Sequence, residues 1–462
     1  MSTGTCTAGP ADRSWLRDPL VVVYAFVVVG VALPARLIFA PLGALGAPAV
    51  IITIGAVGWW GLAMLRPGSL SGRFHPPRVA LITFALVALT TYGVGLTNTL
   101  SATEANASLR TLLAILGFVA LGLIAADAVH DRDHLDRLLR LVVAAVTLLA
   151  LMGIVQFVTG LAPPDYIRIP GLVLQETEIN VERSIFTRIQ ATALHPIEFG
   201  VVLAVALPLA LHYALHGARG QRPSRWRWVP PVLMIVASPM AVSRSSVLGI
   251  AVAGVLLALT WPMHLRVKAA LAGALLLVAM RALFPGLLGT LRSMFLFVGE
   301  DPSISGRTED YAKVAEFFGE RPWLGRGLGT LVPAEHFFLD NEYLGILISS
   351  GLLGLAALIA LFVVAMGTGR GVYLHASDPA ARSLGQALMA ATAVSAVTWL
   401  TYDGMGFRLN AGLAFILIGA VGALWRLEVG TLRWGRGADH SHPQIPTGAA
   451  APEAAAAAGL AR

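Results

Sequence analysis

The residues best suited to chemistry are the basic side chains outside the apolar runs: Arg168, Arg183 and Arg188, then Arg244 in "AVSRSSVLG", then Arg292, Arg307, Lys313, Arg321 and Arg326. A guanidinium stays charged and grips phosphate-type oxygens through paired hydrogen bonds, so arginines from separate segments suit an anionic group that they hold jointly. A single loop arginine is ordinarily a solvated charge or an interface anchor. Arg244 departs from that pattern because its turn is too short to be an ordinary loop.

Acids accompany these bases. "FLDNEYLGILISSGLLGL" puts Asp340, Asn341 and Glu342 at the head of an apolar run, where Asp340 suits the helix N-cap. A carboxylate beside an arginine cluster can also take a proton from an attacking hydroxyl. In "ALHPIEFG", Pro196 suits a first helical position, which makes His195 the entry residue and puts Glu198 in the first turn. His195 is either a cap or a donor, acid or base.

Positioning these groups falls to a strongly apolar chain. Of 462 residues, 56% are hydrophobic and 13% charged, against the roughly 25% charged of a soluble domain, and the mean hydropathy is +0.73. The single cysteine, Cys6, excludes a disulfide framework and a cysteine metal site. Net charge is +7, but the basic residues are dispersed over loops, which argues against nucleic acid.

Apolar segments fall near 19–40, 44–65, 79–96, 110–129, 138–160, 196–215, 228–242, 245–262, 268–285, 341–366, 383–402 and 408–426. In lipid the backbone must satisfy its own hydrogen bonds within a segment, so the expectation is an all-α polytopic bundle of about twelve transmembrane helices. The first segment is read as a retained helix. Arg-rich short loops such as "RPGSLSGRFHPPR", "HDRDHLDRLLR" and "HGARGQRPSRWRW" belong on the cytoplasmic side, which puts both termini there. The expected division is a cytoplasmic segment 1–18, a membrane domain 19–426 and a disordered, low-complexity cytoplasmic tail 427–462.

Two long loops then face outward, 161–195 and 286–340. Within the second, Ser305 or Gly306 is expected to cap a helix from Arg307 to about Gly319, ended by Pro322, after which "GRGLG" at 325–329 permits tight backbone paths. That glycine pattern follows no strand and is not a dinucleotide fingerprint. "HDRDH" at 130–134 has the look of a metal or DxD cluster, but it merges into "LDRLLR" and reads as a solvated connector; no metal is expected.

"RIQATALHPIEFG", "SRSSVLG", "SGRTEDYAKVAEFFGERPWLGRGLG" and "DNEYLGILISSGLLGL", in that order over residues 183–355, resemble the O-antigen ligase and polymerase family. The resemblance implies a metal-independent, inverting glycosyltransferase that needs no cofactor. It would move a glycan from a polyprenyl diphosphate carrier to a glycan or lipid-glycan acceptor, on the extracytoplasmic face of the bacterial cytoplasmic membrane. The family's outer arginines correspond to Arg188, Arg244 and Arg307. Its ligases carry His before Asn at the head of the late helix; here Asp340 precedes Asn341, which fits a polymerase-like or divergent branch, with His336 four residues upstream as a stand-in. Asp340, Arg307 and Arg244 are thus the expected catalytic residues, and Arg188, His195, Arg183, His336 and Asn341 the expected substrate-binding ones. Besides donor, acceptor and membrane lipids, no protein partner is legible. The rival reading is a transporter or flippase of lipid-linked sugar, but that class keeps ionisable groups near the membrane midplane, whereas the charges here gather at helix ends.

Overall fold

The computed structural model describes residues 18–175, 182–183, 186–217, 224–283, 286, 289, 292 and 302–430. Each of the twelve apolar segments coincides with a helix. In chain order these are α1 (Val21–Ala32), α2 (Pro48–Met64), α3 (Pro76–Gly95), α4 (Ala102–Asp127), α5 (Arg132–Thr159), α6 (Pro196–His216), α7 (Val229–Ala237), α8 (Arg244–Ala258) and α9 (Met263–Leu283); after the loop helix α10 (Pro302–Glu320) come α11 (Glu342–His375), α12 (Pro379–Thr398) and α13 (Arg408–Glu428). Seven of them, α3, α4, α5, α6, α9, α11 and α13, are long and apolar enough to cross a membrane; α1, α2 and α8 are shorter and equally apolar.

The ends of the helices alternate. One end, here the loop end, gathers the N-termini of α4, α6, α8, α11 and α13 with the C-termini of α1, α3 and α5; the opposite end gathers the starts of α3 and α5 with the ends of α4 and α13. Helices α6 and α13 are enclosed along most of their length, while α9 is almost wholly exposed. The closest approach in the core is between α4 and α13, where a side chain on Gly419 would collide with the Gly122 carbonyl. Small residues let two helix backbones meet this way where lipid supplies no hydrophobic push.

Several helices extend beyond their apolar runs. Helix α4 starts at Ala102, where Ser101 and Glu104 form a reciprocal capping box (3.0 and 2.9 Å), and α5 starts at Arg132 because Asp131 caps His134 N at 2.8 Å. The "HDRDH" stretch is therefore a helix entry: Asp131 also holds His134 Nδ1 at 2.7 Å, and His130 bonds the Ala128 and Gly68 carbonyls.

The loop helix α10 begins at Pro302, ahead of the expected Ser305 or Gly306. Proline has its φ fixed near the helical value and no N–H to lose, so it outranks a serine three residues later as a start signal. Arg307 consequently lies inside the helix and not in its opening turn.

Helix α11 is broken at Gly351 (φ 64°), a feature hidden in an unbroken apolar run. The loop after α10 splints the break. Arg326 N and Gly327 N donate to Ile348 O and Ser349 O (3.1 and 2.9 Å), while Leu352 N and Leu353 N donate to Pro322 O and Trp323 O (2.8 and 3.2 Å). Four groups that the break would orphan are thereby paired, as a helix interruption inside a bundle requires. A side chain at Gly325 (φ 69°) would strike the Ser349 backbone of α11, and one at Gly327 (φ 127°) the Gly95 Cα of α3, so the "GRGLG" segment takes the tight backbone path expected of it.

Candidate functional site at the loop end

The segment 188–195 enters α6 with its backbone pinned on both sides. Gln156 Oε1 accepts from Ala191 N (2.8 Å) and Gln190 N (3.3 Å), and Thr192 Oγ1 donates to Val31 O (2.7 Å). These bonds hold Ala191 at φ 50°. The turn before α8 is pinned similarly: Ser246 Oγ bonds Ser238, and Val242 sits at φ 46°. Among the described residues these two are the non-glycine positions with positive φ. For a β-branched valine that conformation costs about 1–3 kcal/mol and persists only where the surroundings over-determine it, a pattern that concentrates at functional sites.

The two strained segments touch. Arg188, itself buried, donates from Nε to Ala241 O at 3.3 Å, so its side chain reaches the turn that delivers Arg244 three residues later. His195 shares this neighbourhood. Burial and the Arg188 charge push its pKa down from 6.5 to about 4. Its Nδ1 accepts from Ile197 N at 3.1 Å and caps α6, as expected, which leaves Nε2 to carry the proton. His195 is therefore a neutral hydrogen-bond donor, not a base, as long as the cap holds.

Carboxylates knit the helix entries together. Glu198 accepts from Leu194 N (2.8 Å), Leu409 N (3.0 Å) and Asn410 N (3.4 Å), joining α6 to the first turn of α13. Glu342 accepts from Met405 N (2.9 Å) beside Asp403, while its own N–H donates to Trp399 O (3.0 Å). Ser245 Oγ and Thr401 Oγ1 lie 2.7 Å apart, which ties α8 to the same 399–407 segment. The entries of α6, α8, α11 and α13 therefore form one linked rim.

Arg244 and Arg408 are the first residues of α8 and α13, and neither helix has a side-chain cap from its preceding residue. A cation there sits at the positive end of the helix dipole, which is unfavourable by about 0.3–1 kcal/mol each and favours a nearby anion. Glu198 acts electrostatically on Arg408. Sequence reading passed over Arg408 because it was absorbed into the start of an apolar run; an arginine immediately before "LNAGLAFILIG", on the wrong end of a helix, was the available signal.

The head of α11 differs from expectation. Its N-cap is Asn341, whose Oδ1 accepts from Leu344 N at 3.2 Å, and not Asp340. Asn accepts as well as Asp at this position, and one residue of register decides between them. Asp340 stands just outside the helix, half-buried, with its carboxylate not used as the cap.

His336 belongs to a different cluster. Its Nε2 lies 3.5 Å from Glu104 Oε1, which also pairs with Arg326 Nη2 at 3.4 Å, and its ring meets Phe317 edge-on at 5.9 Å. Arg321 bonds Asn98, and Lys313 stacks over Phe337 at 5.2 Å. These bases clamp the loop to the entry of α4. Arg183 lies in a hairpin of two-residue strands (Glu182–Arg183 with Phe186–Thr187), and Arg307 on α10; the side chains of both fall outside the described residues.

The turn, α8, α9, α10 and the head of α11 together carry a recognisable signature. Residues 231–359 match the O-antigen ligase family. No curated protein matches the chain. The O-antigen ligase match spans Arg244, Arg307, His336, Asp340 and Asn341, and stops short of Arg183, Arg188 and His195. With the apolar helices it supports a membrane protein of glycan transfer in surface polysaccharide biosynthesis.

Proposed function

We propose that the protein is a glycosyltransferase of the bacterial inner membrane that moves or polymerises a glycan from a polyprenyl diphosphate carrier onto an acceptor at the extracytoplasmic face. One observation carries this reading: Arg188 and Arg244 are delivered to a single rim by the two strained segments, Arg244 against its own helix dipole. Evolution retains such cost where a strong anion is bound, and a diphosphate is that anion.

In the proposed reaction the diphosphate lies against the entry of α8, gripped by Arg188 and Arg244, with Arg307 of α10 as the third cation of the clamp. An acceptor hydroxyl oxygen attacks the anomeric carbon, and the bond from that carbon to the diphosphate oxygen breaks on the opposite side. The bonding pair leaves with the diphosphate, whose growing charge the guanidiniums stabilise. The hydroxyl proton passes to the Asp340 carboxylate, which the Asn341 cap leaves outside the helix. Attack opposite the leaving group inverts the anomeric centre, and no step requires a metal. Neutral His195 donates from Nε2 to a substrate oxygen. The domain limits 19–426 enclose all of these parts.

Purified protein incubated with a polyprenyl diphosphate glycan and an acceptor tests the proposal. Product formation is expected; movement of the carrier across the bilayer without product would instead make the protein a transporter. Asp340→Asn should slow transfer at least tenfold, and unchanged transfer would remove Asp340 from the mechanism.

A further inference from the structure

At the end opposite the candidate site, a cleft of about 520 Å3 opens between α5, the end of α6 and the start of α7. Arg137, Arg140 and Arg227 line it, together with an apolar wall that includes Leu141, Ala144 and Pro230. Arg137, Arg140 and Ala144 fall at helical spacing on one exposed strip of α5, and Arg227 comes from the 3-10 helix Arg225–Trp228. The Arg227 guanidinium occupies the space that a side chain at Gly217 would fill. On either side of Arg227, Trp226 and Trp228 are 74% and 44% exposed, the placement of aromatic residues at the headgroup level of a bilayer.

Among the described acids nearby, Asp133 precedes Arg137 by one helical turn on the exposed face of α5, and two others are bonded. Asp136 receives Arg132 Nε (3.3 Å) and the Tyr213 hydroxyl (2.9 Å), and Asp18 accepts from Leu20 N (2.9 Å). The cleft wall therefore sets three guanidiniums beside apolar side chains.

We infer that this cleft is a binding site for one anionic glycerophospholipid of the adjoining leaflet, its phosphate held among Arg137, Arg140 and Arg227 and its acyl chain along α5. The charge pattern selects an anion, and the apolar wall selects an anion with a hydrocarbon tail, which separates a lipid from free phosphate. Guanidiniums grip phosphate bidentately, and basic clefts between helices are a recurrent way of holding acidic headgroups. The Trp pair sets the depth at which the headgroup sits. Under the orientation expected from the short basic loops, this leaflet is the cytoplasmic one. The inference is independent of the glycan-transfer reading, since no residue is shared.

The test uses the full chain in detergent, titrated with phosphatidylglycerol, phosphatidylcholine or inorganic phosphate, with retained lipid read by native mass spectrometry and thermal midpoint read in parallel. Phosphatidylglycerol should be retained and should raise the midpoint, while the other two should do neither. Arg137→Gln/Arg140→Gln/Arg227→Gln should weaken phosphatidylglycerol retention at least about tenfold, given the attraction each basic residue contributes near an acidic lipid. Arg66→Gln/Arg73→Gln, which removes charge from another loop at the same end, should leave it intact. Should the triple variant fail to fold, Arg140→Gln alone must still weaken retention. Equal retention of phosphatidylcholine, equal stabilisation by phosphate, an unaffected cleft variant, or equal loss in the control pair would each overturn the inference.

Discussion

With the exception of Glu104, which pairs with Arg326 and His336, the buried acids at the two ends of the bundle are answered by different partners. Opposite the loops they meet cations: Asp127 lies 3.3 Å from His75 Nε2 and 3.4 Å from Arg78 Nε, and Arg132 bridges Asp136 and Glu428 at 3.3 Å each. Arg426 completes that end by donating to the Ala126 and Val129 carbonyls at the close of α4, where the helix dipole favours a cation. At the loop end, Glu198 and Glu342 accept backbone N–H groups from other segments, and arginines stand at helix starts. The first arrangement neutralises itself and acts as a lock. The second uses Glu198 and Glu342 for positioning and sets Arg244 and Arg408 at helix starts, where the dipoles favour an anion beside them.

The strongest way to break this contrast is to delete a rim cation. Arg244→Ala or Arg188→Ala should reduce glycan transfer per folded molecule by about a hundred- to a thousandfold, the scale of losing one preorganised charge donor. Transfer near the wild-type rate would show that the rim is not the reaction centre. The complementary change is Asp127→Ala, which strands Arg78 beside a buried vacancy and should destabilise the fold by about 3 kcal/mol, read as a lower unfolding midpoint. Activity per folded molecule should stay within about twofold; a selective activity loss would erase the distinction between lock and site.

A subtler effect concerns pH. His195 ionises at about 4 in the folded protein against its ordinary 6.5, so between those values the unfolded chain takes up a proton that the folded chain refuses. Its contribution to stability is complete above pH 6.5 and is lost as pH falls towards 4, a change of about 2 kcal/mol after allowance for partial exposure. His195→Gln should flatten the difference between midpoints measured at pH 7 and pH 4.5. The smallest effect is that of the cap: Asn341→Ala should cost about 1 kcal/mol of stability, read as a lower unfolding midpoint.

Much of this molecule was legible in its sequence. Each of the twelve apolar runs coincides with a described helix because the rule behind the reading, internal satisfaction of the backbone, is local. The helical character of the large loop and the tight path of Gly325 to Gly329 followed from equally local signals. Arg188 and Arg244 were singled out by residue type, but their meeting at Ala241 depends on a contact across 53 residues that no periodicity reveals. Asp340 and Asn341 were confused because capping chemistry is shared and register is set by tertiary contacts. His336 fell to Glu104, 232 residues earlier, for the same reason. Arg408 was overlooked because a hydropathy reading treats the charge at the edge of a run as a boundary.

The splinted break in α11 has a mechanical corollary. Because Pro322, Trp323, Arg326 and Gly327 supply the hydrogen bonds missing around Gly351, the loop that follows α10 is fastened to both halves of α11, including the segment headed by Asp340 and Asn341. Any displacement of α10 is thus conveyed to that segment as a rigid pull, and the Leu352 and Leu353 amides, which give up their protons to solvent only when the splint opens, are natural reporters of it by deuterium uptake.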